Sequence, residues 1–425
     1  MNLFKNILQA QERLQNIVLL TDLNENLNLS KRYGATILLK REDQQINHSF
    51  SIRGVYNKIS SLSTNEKKKG IISASAGNHA QGVALACNLL KVMGKIYMPK
   101  TTTKQKIIKI QQFGKNYIEI ILVGTIFDDA YAIAAGDASI HCKVFIHPFD
   151  DLKIIAGNGT VGMEILEQYQ KTIDYVFVPV EGGALGAGLS SVFKQLSPHT
   201  KIIGVETRSI TTSIDHEKDI SFESTDQYIN KVSMNQANNL VNEILQKNLS
   251  DMVYIPKGKI CTTILQLFNE EKLIVEPTGI LSIAALDFYA EQIKGENVVC
   301  IVDKGTQNLE RKSKIKECSL LYQGLIHYFI IEFPQPSVVL NEFVNHILGP
   351  HDKLTFFLAE KKKNNNVETD SALIKLELKD PNNILTITSK MQKKGFKYQN
   401  INKKQKFYND MLQYSNIFKK EKELI

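Results

Sequence analysis

From about residue 36 to 305, short β-branched runs recur with helix-length segments between them: Thr36-Ile37-Leu38-Leu39, Gly70-Ile71-Ile72-Ser73, Lys95-Ile96-Tyr97-Met98, Glu119-Ile120-Ile121-Leu122-Val123, Tyr175-Val176-Phe177-Val178, Lys201-Ile202-Ile203-Gly204-Val205 and Val298-Val299-Cys300-Ile301-Val302. Helices that separate consecutive strands return the chain to the same end of a sheet, so the strands must run parallel. This alternation predicts a doubly wound α/β core. Ligands in such sheets sit beyond the carboxyl ends of the strands, and the small-residue turns after Ser73, Val180 and Val302 fall there.

The rhythm changes from about residue 326. His327 to Ile331 reads as a strand, Val338 to Leu348 as a helix, Leu354 to Leu358 and Ala372 to Leu378 as strands, Ile384 to Lys393 as a helix, and Tyr398 to Ile401 as a last short strand. That βαββαβ order predicts an α+β ferredoxin-like unit, with Lys361 to Asn366 as a polar hairpin loop. The expected division is a catalytic-type α/β domain over 1–320 with a small subdomain at about 53–148, a second domain over 326–402, and a lysine-rich tail over 403–425.

Charge and hydropathy exclude several classes. Residues 353–425 hold sixteen lysines against eight acids and so account for the whole formal net charge of +8. The six arginines all lie before that stretch, so the clustered arginine and interleaved aromatics of a nucleic-acid surface are missing. Solvated lysine faces are expected instead. No apolar run reaches the roughly 18 residues of a membrane helix. Residues 1–18 alternate apolar with charged or amide side chains, unlike a signal peptide; Leu3, Ile7, Leu14 and Ile17 predict an amphipathic first helix. Five scattered cysteines with no C-x-x-C pair fit reduced, buried thiols in a cytoplasmic protein rather than metal ligands.

Three turns carry the chemistry. Ser75-Ala76-Gly77-Asn78-His79-Ala80-Gln81-Gly82 follows a strand and opens a helix, so backbone N–H groups can converge on an anion at the helix's positive end. Glu181-Gly182-Gly183-Ala184-Leu185 follows Val176 to Val180; successive glycines admit a phosphate, whereas a carboxylate within ~5 Å of one costs on the order of 3 kcal/mol at an effective dielectric near 20. Asp303-Lys304-Gly305-Thr306 ends the last core strand. Lys304 reads as a solvated surface lysine. Upstream, Lys40-Arg41-Glu42-Asp43 precedes Ser49-Phe50-Ser51-Ile52-Arg53-Gly54-Val55.

Together these segments resemble the threonine dehydratases, pyridoxal-phosphate enzymes of fold type II, whose patterns are K-R-E-D … S-F-K-x-R-G-A, S-x-G-N-H-A-Q-G, V-P-V-G-G-G-G-L and S-G-G-N. His147-Pro148-Phe149-Asp150-Asp151 with Ala156-Gly157-Asn158-Gly159-Thr160, and Val275-Glu276-Pro277-Thr278-Gly279, match further family segments. The likeness runs from about residue 10 to 402 and is weakest between Ser209 and Asn248. By this resemblance Ser51 stands where the family lysine carries the cofactor as a Schiff base. Phe50, Asn78, Glu181, Gly182, Gly183, Ala184, Leu185 and Asp303 fall at its cofactor contacts, and Ser75, Gly77 and His79 at its substrate contacts. An aspartate at 303, where the family has serine, would favour a protonated cofactor ring.

The resemblance implies deamination of L-threonine to 2-oxobutanoate and ammonia towards isoleucine, L-serine being the other substrate it leaves open. It also implies a branched-chain amino acid effector at an ACT-like C-terminal domain and a homotetramer. A serine hydroxyl forms no imine, so activity is expected to be absent or strongly impaired. A non-catalytic amino-acid-binding or subunit-partner protein on the same fold is the alternative.

Overall fold

The structure is a computed structural model that describes residues 3–208, 239–305, 312–333, 340–341, 343–364 and 367–402. The chain divides into two compact units, Met1–Thr207 with Asn230–Ile255 and Leu267–Asn308, and Arg208–Ile229 with Pro256–Gln266 and Leu309–Ile425.

The first unit opens with α1 (Leu3–Leu14), which buries Ile7, Ala10 and Leu14 at helical spacing. Strands β1 (Leu23–Glu25) and β2 (Thr36–Arg41) pair antiparallel and lead to α2 (Ser51–Ser60). Next come β3 (Ile71–Ala74), α3 (Asn78–Leu90), β4 (Gly94–Met98), β5 (Ile118–Leu122) and β6 (Val144–Phe145). These strands form a parallel sheet in the order β5-β4-β3-β6. After α4 (Leu152–Gln168) the chain makes β7 (Tyr175–Pro179), α5 (Ala184–Leu196), β8 (Lys201–Thr207), β9 (Asp251–Ile255) and β10 (Asn297–Val302). The last strand inserts between β2 and β7, giving a six-stranded sheet β1-β2-β10-β7-β8-β9.

All seven expected core strands are present. The additional ones are β1, β6 and β9. The two-residue β6 and three-residue β1 are too short to carry a period, and β1 is an antiparallel edge.

Insertion of β10 decides where a site can form. Its parallel register with β7 pairs Val298 with Tyr175 and Cys300 with Phe177, so the turns that follow these two strands emerge side by side at one end of the sheet. Both strands are buried along almost their full length, which explains why they read as continuous apolar runs rather than alternating ones.

The second unit contains α6 (Lys312–Tyr322), β11 (Ile326–Phe333), β12 (Lys353–Asn364), β13 (Val367–Glu377), α7 (Asn383–Lys393) and β14 (Lys397–Asn400). Its antiparallel order β12-β13-β11-β14 is that of the expected ferredoxin-like unit. Phe329, Ile331, Ile374, Leu376, Ile387 and Met391 form its core. The helix expected over Val338 to Leu348 departs from expectation. Its described part contains the π-helical turn Phe343–Ile347, closed by Gly349-Pro350, a pair that cannot continue a helix.

Residues 209–238, Thr306, 365–366 and the tail from 403 lie outside the described residues, and the described part of the expected loop Lys361–Asn366 instead continues β12, paired with β13. Among the described ones no helix is long and apolar enough to cross a membrane, and no cluster of histidine, cysteine and carboxylate side chains is arranged to hold a metal. Four cysteines are buried free thiols, but Cys142 is exposed, correcting the expectation for that residue.

Candidate active site

Helix α2 is seated by backbone contact and by charge. A Cβ on Gly54 would lie 2.7 Å from the Asn158 side chain, and one on Gly157 would lie 2.4 Å from the Arg53 carbonyl. Only glycines let α2 and α4 cross this closely. Arg53, fully buried, donates to both oxygens of Glu42 at 2.8 Å and to Glu164 at 2.5 and 2.9 Å. Lys40 completes the set with a 2.6 Å bond to Glu164. Burial alone would raise the Glu42 carboxyl, but Arg53 and Lys40 beside it hold it below its ordinary value. Two cations and two anions therefore share one buried network.

Two residues earlier on the same helix, Ser51 donates its hydroxyl to the Asn78 carbonyl at 3.0 Å and accepts from Asn47 Nδ2 at 3.0 Å. Asn47 is completely buried, and its Oδ1 has no hydrogen-bond partner. Ser51 thus links the start of α2 to the start of α3. Both of its partners are amide groups, and neither can take up a proton near neutral pH.

The turn into α3 is open. Ser75 Oγ accepts from Gly77 N–H at 3.2 Å, and a Cβ on Gly77 would meet nothing within 4 Å. Asn78 begins the helix. His79 points its ring elsewhere: Nε2 lies 3.2 Å from Ser73 Oγ, whose only proton goes to the Ile146 carbonyl, so the imidazole is the donor. Burial pushes its pKa down to about 4, and the ring is neutral at pH 7.

The turn into α5 is different. Gly183 caps that helix at a left-handed φ of 77°, and a Cβ there would strike Val241 at 2.5 Å. Ala184 and Leu185 are buried in the core behind it. Gly182 packs on the Phe149 ring, where a Cβ would approach to 2.5 Å. Ahead of these glycines, Glu181 forms an ion pair with Lys304.

The side chain of Lys304 is 17% exposed and also donates to Thr278 Oγ1 at 2.7 Å, so the expected solvated lysine is instead a partly buried, fully partnered one. The sheet explains the pairing. Glu181 and Lys304 continue the β7 to β10 register that matches Phe177 with Cys300, each four residues further on.

Asp303, 1% exposed, accepts from Phe50 N–H at 3.0 Å and Ser49 Oγ–H at 3.3 Å. A carboxylate there faces the N-terminal turn of α2, which favours its charged form. Burial acts the other way and dominates, pushing its pKa up to about 7 despite Lys304 and the Phe50 N–H. The network brings Ser51, Phe50, Asn78 and Asp303 into one hydrogen-bonded cluster, and joins Glu181 to the residue after Asp303. Asn47, Ser49, Thr278 and the Lys304 partnership were not anticipated. Proximity of Asn47 and Ser49 to Ser51 in sequence is the signal that could have drawn attention to them.

Residues 15–303 match the model of the pyridoxal-phosphate dependent enzymes. The chain belongs to that family. Residues 317–411 match the C-terminal regulatory domain of threonine dehydratase. The biosynthetic L-threonine dehydratase of Halalkalibacterium halodurans is 43% identical over 408 residues, 95% of this chain and 98% of that one. The corresponding protein of Bacillus subtilis is 41% identical over 402 residues, 94% and 95% of the two chains. Among solved structures, the processed form of threonine deaminase isoform 2 from Solanum lycopersicum matches with a TM-score of 0.67 and 34% identity, over 75% of this chain and 88% of that one.

Pyridoxal phosphate is the cofactor that membership of this pyridoxal-phosphate family implies. The open turn at Gly77, ahead of the helix that starts at Asn78, leaves room for a ligand there. Ser51 does not fit a covalent tether, because it presents a hydroxyl already engaged at both ends.

Proposed function

We propose that this chain is a threonine dehydratase-like protein whose turnover of L-threonine to 2-oxobutanoate and ammonia is absent or strongly impaired. One observation carries the reading: where the resemblance expects a lysine amine, Ser51 holds a hydroxyl between Asn47 and Asn78. Bound pyridoxal phosphate supplies an electron sink for chemistry at the α-carbon of an amino acid. The protein's share is a base for the α-proton, typically worth 10²–10⁴-fold in rate.

Ser51 gives its own proton to a carbonyl and has no neighbour to receive another. His79 is a weak substitute, since burial holds its pKa down at about 4 and its Nε2 is turned to Ser73. Asn78, at the start of α3, remains able to bind and orient a ligand, with the Gly77 N–H bond to Ser75 shaping that turn. Asp303 acts as a positioning residue, fixing the Ser49–Phe50 turn that presents position 51.

The same reading assigns residues 1–320 to the catalytic-type domain and 326–402 to an ACT-like domain for a branched-chain amino acid, in a cytoplasmic homotetramer. The match to a regulatory domain supports the effector role, and it also favours the alternative, a non-catalytic partner subunit that binds the effector.

The test is oxoacid release from L-threonine by the purified chain and by Ser51→Lys, each with excess pyridoxal phosphate. Release only from the variant supports the reading. Rapid release by the unmodified chain refutes it.

A further inference from the structure

The Glu181–Lys304 pair is more than a surface contact. Lys304 occupies the left-handed region at φ 56°, which residues bearing a side chain adopt rarely. Its backbone is nevertheless held on three sides, by Glu276 N–H donating to its carbonyl at 2.9 Å, by Asp303 N–H to Gly279 at 3.0 Å and by Gly305 N–H to His48 at 3.1 Å. The amine is thereby aimed at the turn that opens α5, where it meets Glu181 and Thr278.

Burial would lower the Lys304 ammonium, but Glu181 and Asp303 hold it above the ordinary lysine value, with Glu276 adding to the effect. Glu206, at the end of β8, is pushed up to about 7 by burial and then by the charge of Glu181. One ammonium thus meets the Glu181 carboxylate at the mouth of a glycine turn, with Asp303 and Glu276 near enough to raise it.

We propose that Glu181 is a resident anion of this turn: its carboxylate holds Lys304 across the ends of β7 and β10 and excludes a phosphate dianion. Affinity for a phosphorylated ligand is then set by the ion pair rather than by the glycine backbone. The inference rests on the family reading above and concerns binding, a step separate from the chemistry missing at Ser51. A phosphate entering the turn must compete with Glu181 for Lys304 while suffering repulsion from the carboxylates around it. Pyridoxal, with the same ring and no phosphate, meets no such competition.

Equilibrium dialysis of the full-length chain with pyridoxal phosphate, pyridoxal and inorganic phosphate tests this. Glu181→Gln keeps the shape and removes the charge; Glu181→Gly removes both. Since Glu181 is 43% exposed and partly screened by solvent, each variant is expected to bind pyridoxal phosphate and inorganic phosphate about tenfold or more tighter. Pyridoxal should change by less than about twofold. Lys304→Met in the Glu181→Gln background, which keeps chain length and backbone strain, should reverse the gain.

Unchanged phosphate affinity in both variants overturns the proposal. So does an equal gain for pyridoxal, or the absence of binding by every probe to every variant. If inorganic phosphate tightens but no variant retains pyridoxal phosphate, the exclusion stands and the family reading of the ligand falls. If the unmodified chain turns over threonine while Glu181 variants bind as it does, the exclusion falls and so does the impaired-activity reading.

Discussion

Arg53 and Ser51 sit two residues apart on one helix, and their surroundings differ in kind. Around Arg53 every charge has its opposite: Glu42, Glu164 and Lys40 form a closed network at 2.5–2.9 Å that locks α2 onto α4. Around Ser51 the contacts are neutral amides, one of which leaves Asn47 Oδ1 unpaired. The first region keeps a fold, while the second determines what the fold can do. On the function proposed above, the scaffold of the family is kept while the functional group for its reaction is not.

The largest expected effect comes from restoring the amine. Ser51→Lys places a primary amine at the N-terminal turn of α2 beside Asn78, and oxoacid release from threonine should rise on the order of 10²–10⁴-fold. An unchanged rate would show that the Glu181 turn disables the site independently.

Arg53→Met attacks the other region. It strands Glu42, fully buried, and should lower stability by about 3–5 kcal/mol in denaturant unfolding. A loss under about 1 kcal/mol would mean that the network contributes little beyond packing.

Asp303 holds the Ser49–Phe50 turn at the start of the helix that carries both Ser51 and Arg53, and has a pH signature. Its pKa is raised from 3.8 to about 7 on folding, so its contribution is fully present below the unfolded value and is lost as pH rises through the folded one. Stability should therefore decline between about pH 4 and 7. Asp303→Asn should flatten that slope by on the order of 2 kcal/mol, read from unfolding midpoints across the range. A slope unaltered by the substitution would assign the decline to other groups.

The smallest effect belongs to Asn47→Ala. It removes one hydrogen bond to Ser51 and also an orphaned acceptor, so the net change should stay within about 1 kcal/mol. A larger loss would reveal a partner for Oδ1, such as a buried water.

The scaffold was legible because burial on both faces of β7 and β10 leaves unbroken apolar runs in the sequence, while the close crossings at Gly54 and Gly157 and the left-handed cap at Gly183 emerge only from the structure. The turns after β3, β7 and β10 were legible for the same reason. Pairing between distant residues was not. Glu181 and Lys304 meet only because β10 inserts beside β7 in one particular register, and a sequence does not display which strands become neighbours. Lys304 therefore read as a solvated side chain. The network around Arg53 was hidden likewise, since Glu42 and Glu164 lie on opposite sides of it in sequence.

The central claim is that position 51 lacks the nitrogen that the reaction needs. The most direct measurement is steady-state formation of 2-oxobutanoate from L-threonine by the unmodified, full-length chain with saturating pyridoxal phosphate, followed over hours against a protein-free control. Formation at or barely above the control is the predicted result; rapid, sustained catalytic turnover would contradict it.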